Sequence, residues 1–202
     1  MLVAGRTDKV AYLRISEARA ASRAAGVPLQ KSAGRLLIEE AQAFSTANHY
    51  DIFLSHSYDD AEIIYGVKKL IEGLGLFVYV DWIEDAKLDR SKVTVQTAAL
   101  LRERMKTCSS LVYAHSSNSP DSVWMPWELG YFDGLRQRHV WILPLVSDYD
   151  SEFKDQEYLG LYPAVEKLGS LAGRPNLGFA NVGSDRHQVL LEKAARGQGV
   201  YY

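Results

Sequence analysis

From His49 to Val146 the chain alternates short apolar runs with stretches long enough for an amphipathic helix. That alternation leaves few folds open. Asp51–Ser55, Leu76–Val80, Ser110–His115 and His139–Val146 are the apolar runs, with the texture of strands buried on both faces. Between the first two, Asp59 and Asp60 open a helix whose apolar face carries Ile63, Ile64, Val67, Leu70, Ile71 and Leu74. The acids suit its positive end, and Gly73 or Gly75 can end it. Further helices are expected over about 91–106 and 122–137. Strands alternating with helices predict an α/β fold with a mostly parallel sheet flanked by helices. In such sheets ligands bind beyond the carboxyl ends of the strands. Residues 55–58, 81–85, 114–120 and 147–150 are therefore the expected functional rim. Past residue 150 the pattern predicts a short strand near Tyr158–Leu161 and a helix from Ser184 to about Arg196.

The first 48 residues read differently. They are rich in Ala and Arg and carry seven bases against four acids, a net charge of +3, while the remainder carries −5. Val10, Leu13, Ile15 and Ala18 stand at loose helical spacing. After a break at Gly26-Val27-Pro28 come Leu36, Leu37, Ile38, Ala41 and Phe44. The pattern predicts a helical hairpin, either a cap packed on the main domain or an arm for a partner or for self-association.

Several function classes drop out. The overall charge of −2 lacks the basic excess of a nucleic-acid binder. No apolar run is long enough to span a membrane, and no signal peptide is apparent, so a cytoplasmic protein is expected. One cysteine excludes a disulfide framework and multi-cysteine metal sites, and Cys108 reads as packing rather than nucleophile. The five histidines lack H-E-x-x-H spacing, so no metal is expected. No glycine loop cradles a phosphate, and no G-x-S-x-G elbow presents a serine. A phosphoacceptor receiver needs an aspartate ending its third strand, where this chain has Ala114-His115-Ser116.

The strongest local signal is Ser122-Val-Trp124-Met-Pro126-Trp127-Glu128-Leu-Gly-Tyr131. Trp124 and Glu128 are four apart and share a helix face. Pro126 suits a first turn, where its missing N–H costs nothing, and the dipole favours a carboxylate nearby. A carboxylate against aromatic walls either points into a dry pocket or belongs to the core, and the spacing alone leaves both open.

Taken together, the motifs resemble the TIR-domain family, in its bacterial TIR-like branch. The resemblance rests on Tyr50-Asp-Ile-Phe-Leu-Ser-His-Ser57 with Asp59-Asp60, on Gly75-Leu-Phe-Val-Tyr-Val-Asp-Trp82, on Trp124-x-x-x-Glu128-Leu-Gly-Tyr, and on the strand through Ile142-Leu-Pro144. It spans about residues 49–170, leaving 1–48 as an N-terminal helical extension and 171–202 as a C-terminal extension or last helix.

The resemblance implies a flavodoxin-like TIR fold and cleavage of NAD⁺, as substrate rather than cofactor, at the nicotinamide–ribose bond. Glu128 matches the family's catalytic position. Nicotinamide leaves as a neutral molecule, so one carboxylate that holds the ribose and favours the developing cation suffices. Ser55, His56, Trp82, Trp124 and Trp127 are the candidate substrate-binding residues, the tryptophans for stacking. His56 reads equally as a solvated rim histidine. Asp81, Glu84, Asp85 and Asp89 make the loop after the second strand acidic, an odd neighbour for a pyrophosphate unless those acids face solvent.

Water as nucleophile gives ADP-ribose, and attack from within the same molecule gives a cyclic isomer. In anti-phage systems such as Thoeris, TIR proteins make such a messenger for a separate effector, a role that a short chain suits. Two alternatives stay open: a non-catalytic scaffold acting by self-association, and a nucleoside N-glycosidase or deoxyribosyltransferase-like enzyme.

Overall fold

The computed structural model describes residues 11–26, 49–81, 93–150, 153, 156–171, 174–182 and 187–197. The elements in order are β1 (Leu13–Arg14), α1 (Ile15–Ala24), β2 (Tyr50–Ser55), α2 (Ala61–Glu72), β3 (Val78–Tyr79), α3 (Val95–Lys106), β4 (Cys108–His115), α4 (Trp124–Leu135) and β5 (Val140–Val146). They continue with β6 (Glu166–Leu171), β7 (Arg174–Val182), β8 (His187–Leu190) and α5 (Leu191–Ala195). A five-stranded parallel sheet runs β1-β5-β4-β2-β3. It is the flavodoxin-like α/β arrangement expected, with the strand order reversing beside β2 and β4.

Alternation along the strands divides the core in two. Ile52, Leu54, Val112, Ala114, Trp141 and Leu143 face α1 and α2, joined there by Leu177 and Phe179 of β7. Phe53, Leu111, Tyr113, Val140 and Ile142 face α3 and α4. A sheet covered on both faces needs apolar residues at nearly every position, so these strands were visible as continuous runs. Among the described residues no helix is long and apolar enough to cross a membrane.

The N-terminal segment enters the sheet. A helix was expected across Val10–Ala18, yet Leu13 and Arg14 form an edge strand paired with Leu145 and Val146. Leu13 is fully buried at that edge. The helix begins only at Ile15, with the Arg14 N–H donating to Glu17 Oε2 at 2.9 Å. The second helix of the expected hairpin, around Leu36–Phe44, lies outside the described residues.

The tail also differs from expectation. Glu157–Leu161 is a 3₁₀ helix rather than a strand, with Leu159 turned into the core. The helix expected from Ser184 to about Arg196 is present only as α5, Leu191–Ala195, and the described residues before it, His187–Leu190, are strand β8. Pairing of Phe179 with Val189 and Gly178 with Leu190 outweighs local helical preference. Together β6, β7 and β8 form a separate three-stranded antiparallel sheet.

Candidate active site

Register along β2 and burial along α4 bring the central pair together. Ser55 lies two residues beyond Phe53, so its side chain points to the face that α4 covers. On α4 the buried stripe is Trp124, Met125, Glu128, Leu129 and Phe132, the period of a helix packed on a sheet. Glu128 is thus the one carboxylate in an apolar row, and it is fully buried. Ser55 Oγ donates to Glu128 Oε2 at 2.6 Å across 73 positions of sequence. A buried carboxylate is costly unless hydrogen-bonded, and a serine at the strand end supplies a donor. Pro126 is in the first turn, where no intrahelical bond is lost.

His56 is fully buried, so the reading of it as a solvated rim histidine is corrected. Its Nδ1 lies 2.8 Å from the Leu54 carbonyl oxygen. A carbonyl can only accept, so Nδ1 carries the hydrogen and Nε2 is turned outward. Nε2 faces Asp81 Oδ1 at 3.6 Å. Asp81, taken with the acidic loop as facing solvent, is 2% exposed, because its carboxylate turns inward to the imidazole. Glu84, Asp85, Asp89 and Trp82 lie outside the described residues.

Trp124 and Trp127 meet edge to face with ring centroids 5.4 Å apart. Trp124 is buried under the sheet. Trp127 is half-buried, stacked on Tyr131 at 5.7 Å, with the Arg102 guanidinium 5.2 Å over its ring. Both tryptophans pack against the core shared by α3 and α4.

Three features had no sequence signal of their own. Asp60, at the start of α2 as expected, also latches the loop after β4. Its Oδ1 accepts from Asn118 Nδ2 at 2.7 Å and its Oδ2 accepts from Ser116 Oγ. Tyr113 is the register partner of Ser55 on β4, and its hydroxyl is held well above the usual phenol range, first by burial and then by Tyr158. The third feature is a cavity of about 380 Å³ over the carboxyl ends of β4 and β5 and the start of α1. Its walls include His115, Pro120, Ile15, Leu145 and Phe153, with Asp150 among its polar groups. Glu128, by contrast, has no exposed surface. Ser55, His56 and Asp81 are likewise buried.

Cys108 begins β4, and burial pushes its thiol up to about 12. That agrees with the expectation of packing rather than nucleophilic chemistry.

No family model matches the chain. Among curated proteins, "Probable 3' cyclic ADP-D-ribose synthase ThsB'" of Bacillus cereus (strain MSX-D12) is 57% identical over 140 residues, 68% of this chain and 72% of that protein. "Putative cyclic ADP-D-ribose synthase TIR2" of Cytobacillus dafuensis is 35% identical over 83 residues, 41% of this chain and 22% of that protein.

Proposed function

The chain belongs to the family of these TIR-type cyclic ADP-D-ribose synthases, and from that premise we propose that it cleaves NAD⁺ at the nicotinamide–ribose bond and closes the ribosyl group on the same molecule. The observation that carries the reading is the buried Glu128 carboxylate held by Ser55 at the carboxyl end of β2.

The chemistry asks little of a proton donor. The C–N bond breaks with its electron pair leaving on nicotinamide, which departs neutral. What remains is an oxocarbenium-like ribosyl cation. A fixed carboxylate in a water-poor site stabilises that charge as it develops and orients the ribose hydroxyls. Glu128 takes that role, Ser55 fixes its rotamer until substrate enters, and His56 with Asp81 borders the entry. Trp124 forms the wall one helical turn before Glu128, Trp127 braces it from the α3 side, and Trp82 supplies base stacking. An intramolecular hydroxyl or ring nitrogen then attacks the cation and releases one proton, whereas water would give linear ADP-ribose. In this reading NAD⁺ is substrate and no resident cofactor takes part. Self-association through TIR surfaces would open the rim, and a separate effector would read the cyclic product, in anti-phage defence.

Incubating the protein with NAD⁺ and separating the products by chromatography and mass spectrometry tests the reading. The wild type should release nicotinamide, and Glu128→Gln should release it at least about a hundredfold more slowly. Equal rates for the two proteins would overturn the role of Glu128.

Full occlusion of Glu128 favours one second reading, a scaffold that acts by self-association without turnover. Under that reading neither protein releases nicotinamide, even when assembled.

A further inference from the structure

The cavity over β4 and β5 is not accounted for by the chemistry at Glu128. Its apolar walls come from Ile15, Leu145 and Val146, and flat side chains, His115 and Phe153, lie on it. Those two rings meet edge to face at 5.0 Å. Hydroxyls of Ser116 and Ser117 and the Asp150 carboxylate supply acceptors. Among the described residues that line it, none is Lys or Arg. Such a lining disfavours a phosphate and suits a neutral, flat group that donates hydrogen bonds.

The cavity is built rather than incidental. Arg14 Nη1 donates to the Ser147 carbonyl at 2.7 Å and also to the Asp150 carbonyl, fixing the loop after β5 from the start of α1. Ser147 Oγ donates to Asp150 Oδ2 at 2.7 Å, which orients the carboxylate. On the other wall, Asp60 holds Ser116 and Asn118. Each wall is thus set by a contact distant in sequence.

Its position relates it to Glu128. Tyr113 and His115 are two apart on β4, so they share the sheet face, and their rings stack at 6.2 Å. Tyr113 pairs in register with Ser55, which holds Glu128, while His115 lines the cavity. Tyr113 and His115 are offset by roughly 7 Å along β4, so the Ser55–Glu128 pair and the cavity both lie at the carboxyl end of the sheet.

Resting on the reading of NAD⁺ as substrate, we infer that this cavity takes the adenosine half of the dinucleotide while Glu128 takes the nicotinamide riboside half. The adenine amino group and ribose hydroxyls are donors that match Asp150 and the serine hydroxyls. The pyrophosphate then spans the gap outside the cavity, where no cation is required of its walls. Bound this way, the molecule is bent across the carboxyl ends of β2 and β4, which brings its adenosine end toward the ribosyl cation. Cyclisation then breaks the nicotinamide C–N bond and forms a bond from adenosine to the same ribose carbon. The displaced proton goes to solvent.

Adenosine itself is the probe, titrated against the full chain by ligand-observed NMR. Wild type and Glu128→Gln should bind it with equal, saturable affinity, and nicotinamide riboside should not compete. Ser117 is exposed at the mouth, so Ser117→Trp should fold as judged by melting yet bind adenosine at least tenfold more weakly. Asp150→Asn, also at an exposed position, should weaken binding at least threefold. Absent saturable binding, unchanged affinity in both variants, or displacement by nicotinamide riboside would each overturn the assignment. The nicotinamide-release assay separates the two ideas. Release without adenosine binding sinks only the cavity assignment. Adenosine binding without release sinks the proposed reaction and leaves a nucleoside site.

Discussion

Glu128 occupies a position where a leucine would pack equally well against the sheet, between Met125 and Leu129 in a buried row. A protein that places a carboxylate there accepts a desolvation cost of several kcal/mol unless partners offset it. Ser55 is one such partner, and the pairing explains why a serine follows the apolar run Ile52-Phe53-Leu54. The carboxylate was legible in the sequence because two tryptophans flank it. Its serine was not legible as a partner, because their contact depends on where α4 crosses β2. His56 and Asp81 were misread for the same reason: burial of a polar residue at a strand end is set by the neighbouring strand. Another histidine carries a pH dependence. His139 precedes β5, and its pKa is lowered from 6.5, first by burial and then by the Arg136 charge. The unfolded chain therefore binds the proton more readily than the folded one. Stability then rises with pH through the window between the lowered value and 6.5, and falls as the solution is acidified below 6.5. Substituting His139→Phe removes this group, so its melting temperature should decline less between pH 7 and pH 5 than that of the wild type. Equal declines would show that His139 contributes nothing to the acid limb.

At the scale of elements, α1 lies across α2 at Gly66. A Cβ placed on Gly66 would stand 1.8 Å from the Ala18 carbonyl oxygen, so only glycine fits there. In the sequence, Gly66 looks like a weak point in an otherwise strong helix. Its reason becomes visible only when a second helix lies across it. The substitution Gly66→Ala should improve the intrinsic propensity of α2 and still destabilise the protein by about 3 kcal/mol or more, since neither backbone can yield. For a chain of this size that corresponds to a melting temperature lower by roughly 6–12 °C, and hydrogen exchange should show α1 opening first. A neutral or stabilising result would mean that α1 does not sit against Gly66 in solution. The elements that were legible share one property. The strands β2, β4 and β5 are buried on both faces, so each reads as a continuous apolar run and pattern and structure coincide. The pattern misled where an element is short and its partner remote: β1 is two residues long and pairs 132 positions away, Leu13 with Leu145.

For the molecule as a whole, the segment before residue 27 completes the sheet rather than decorating it. The outer side of β5 would otherwise present unpaired backbone groups at Leu145 and Val146, an invitation to edge-to-edge association. Strand β1 covers that stretch, and Ala164 bridges Ile142 further along the same edge. Helix α1 closes the face over α2, and Lys167 Nζ meets Glu17 Oε1 at 2.8 Å, joining the segment to the antiparallel sheet. Ile15 and Arg14 also shape the cavity. An appended cap could be removed with little effect on the rest, whereas an edge strand cannot. Deleting residues 1–26 should lower the melting temperature and produce concentration-dependent aggregation measurable by light scattering. The point variant Leu13→Ala should give a milder form of the same loss, about 2–5 kcal/mol, because it empties a fully buried site. A truncated chain that stays monomeric and melts with the wild type would show that β5 does not need its partner.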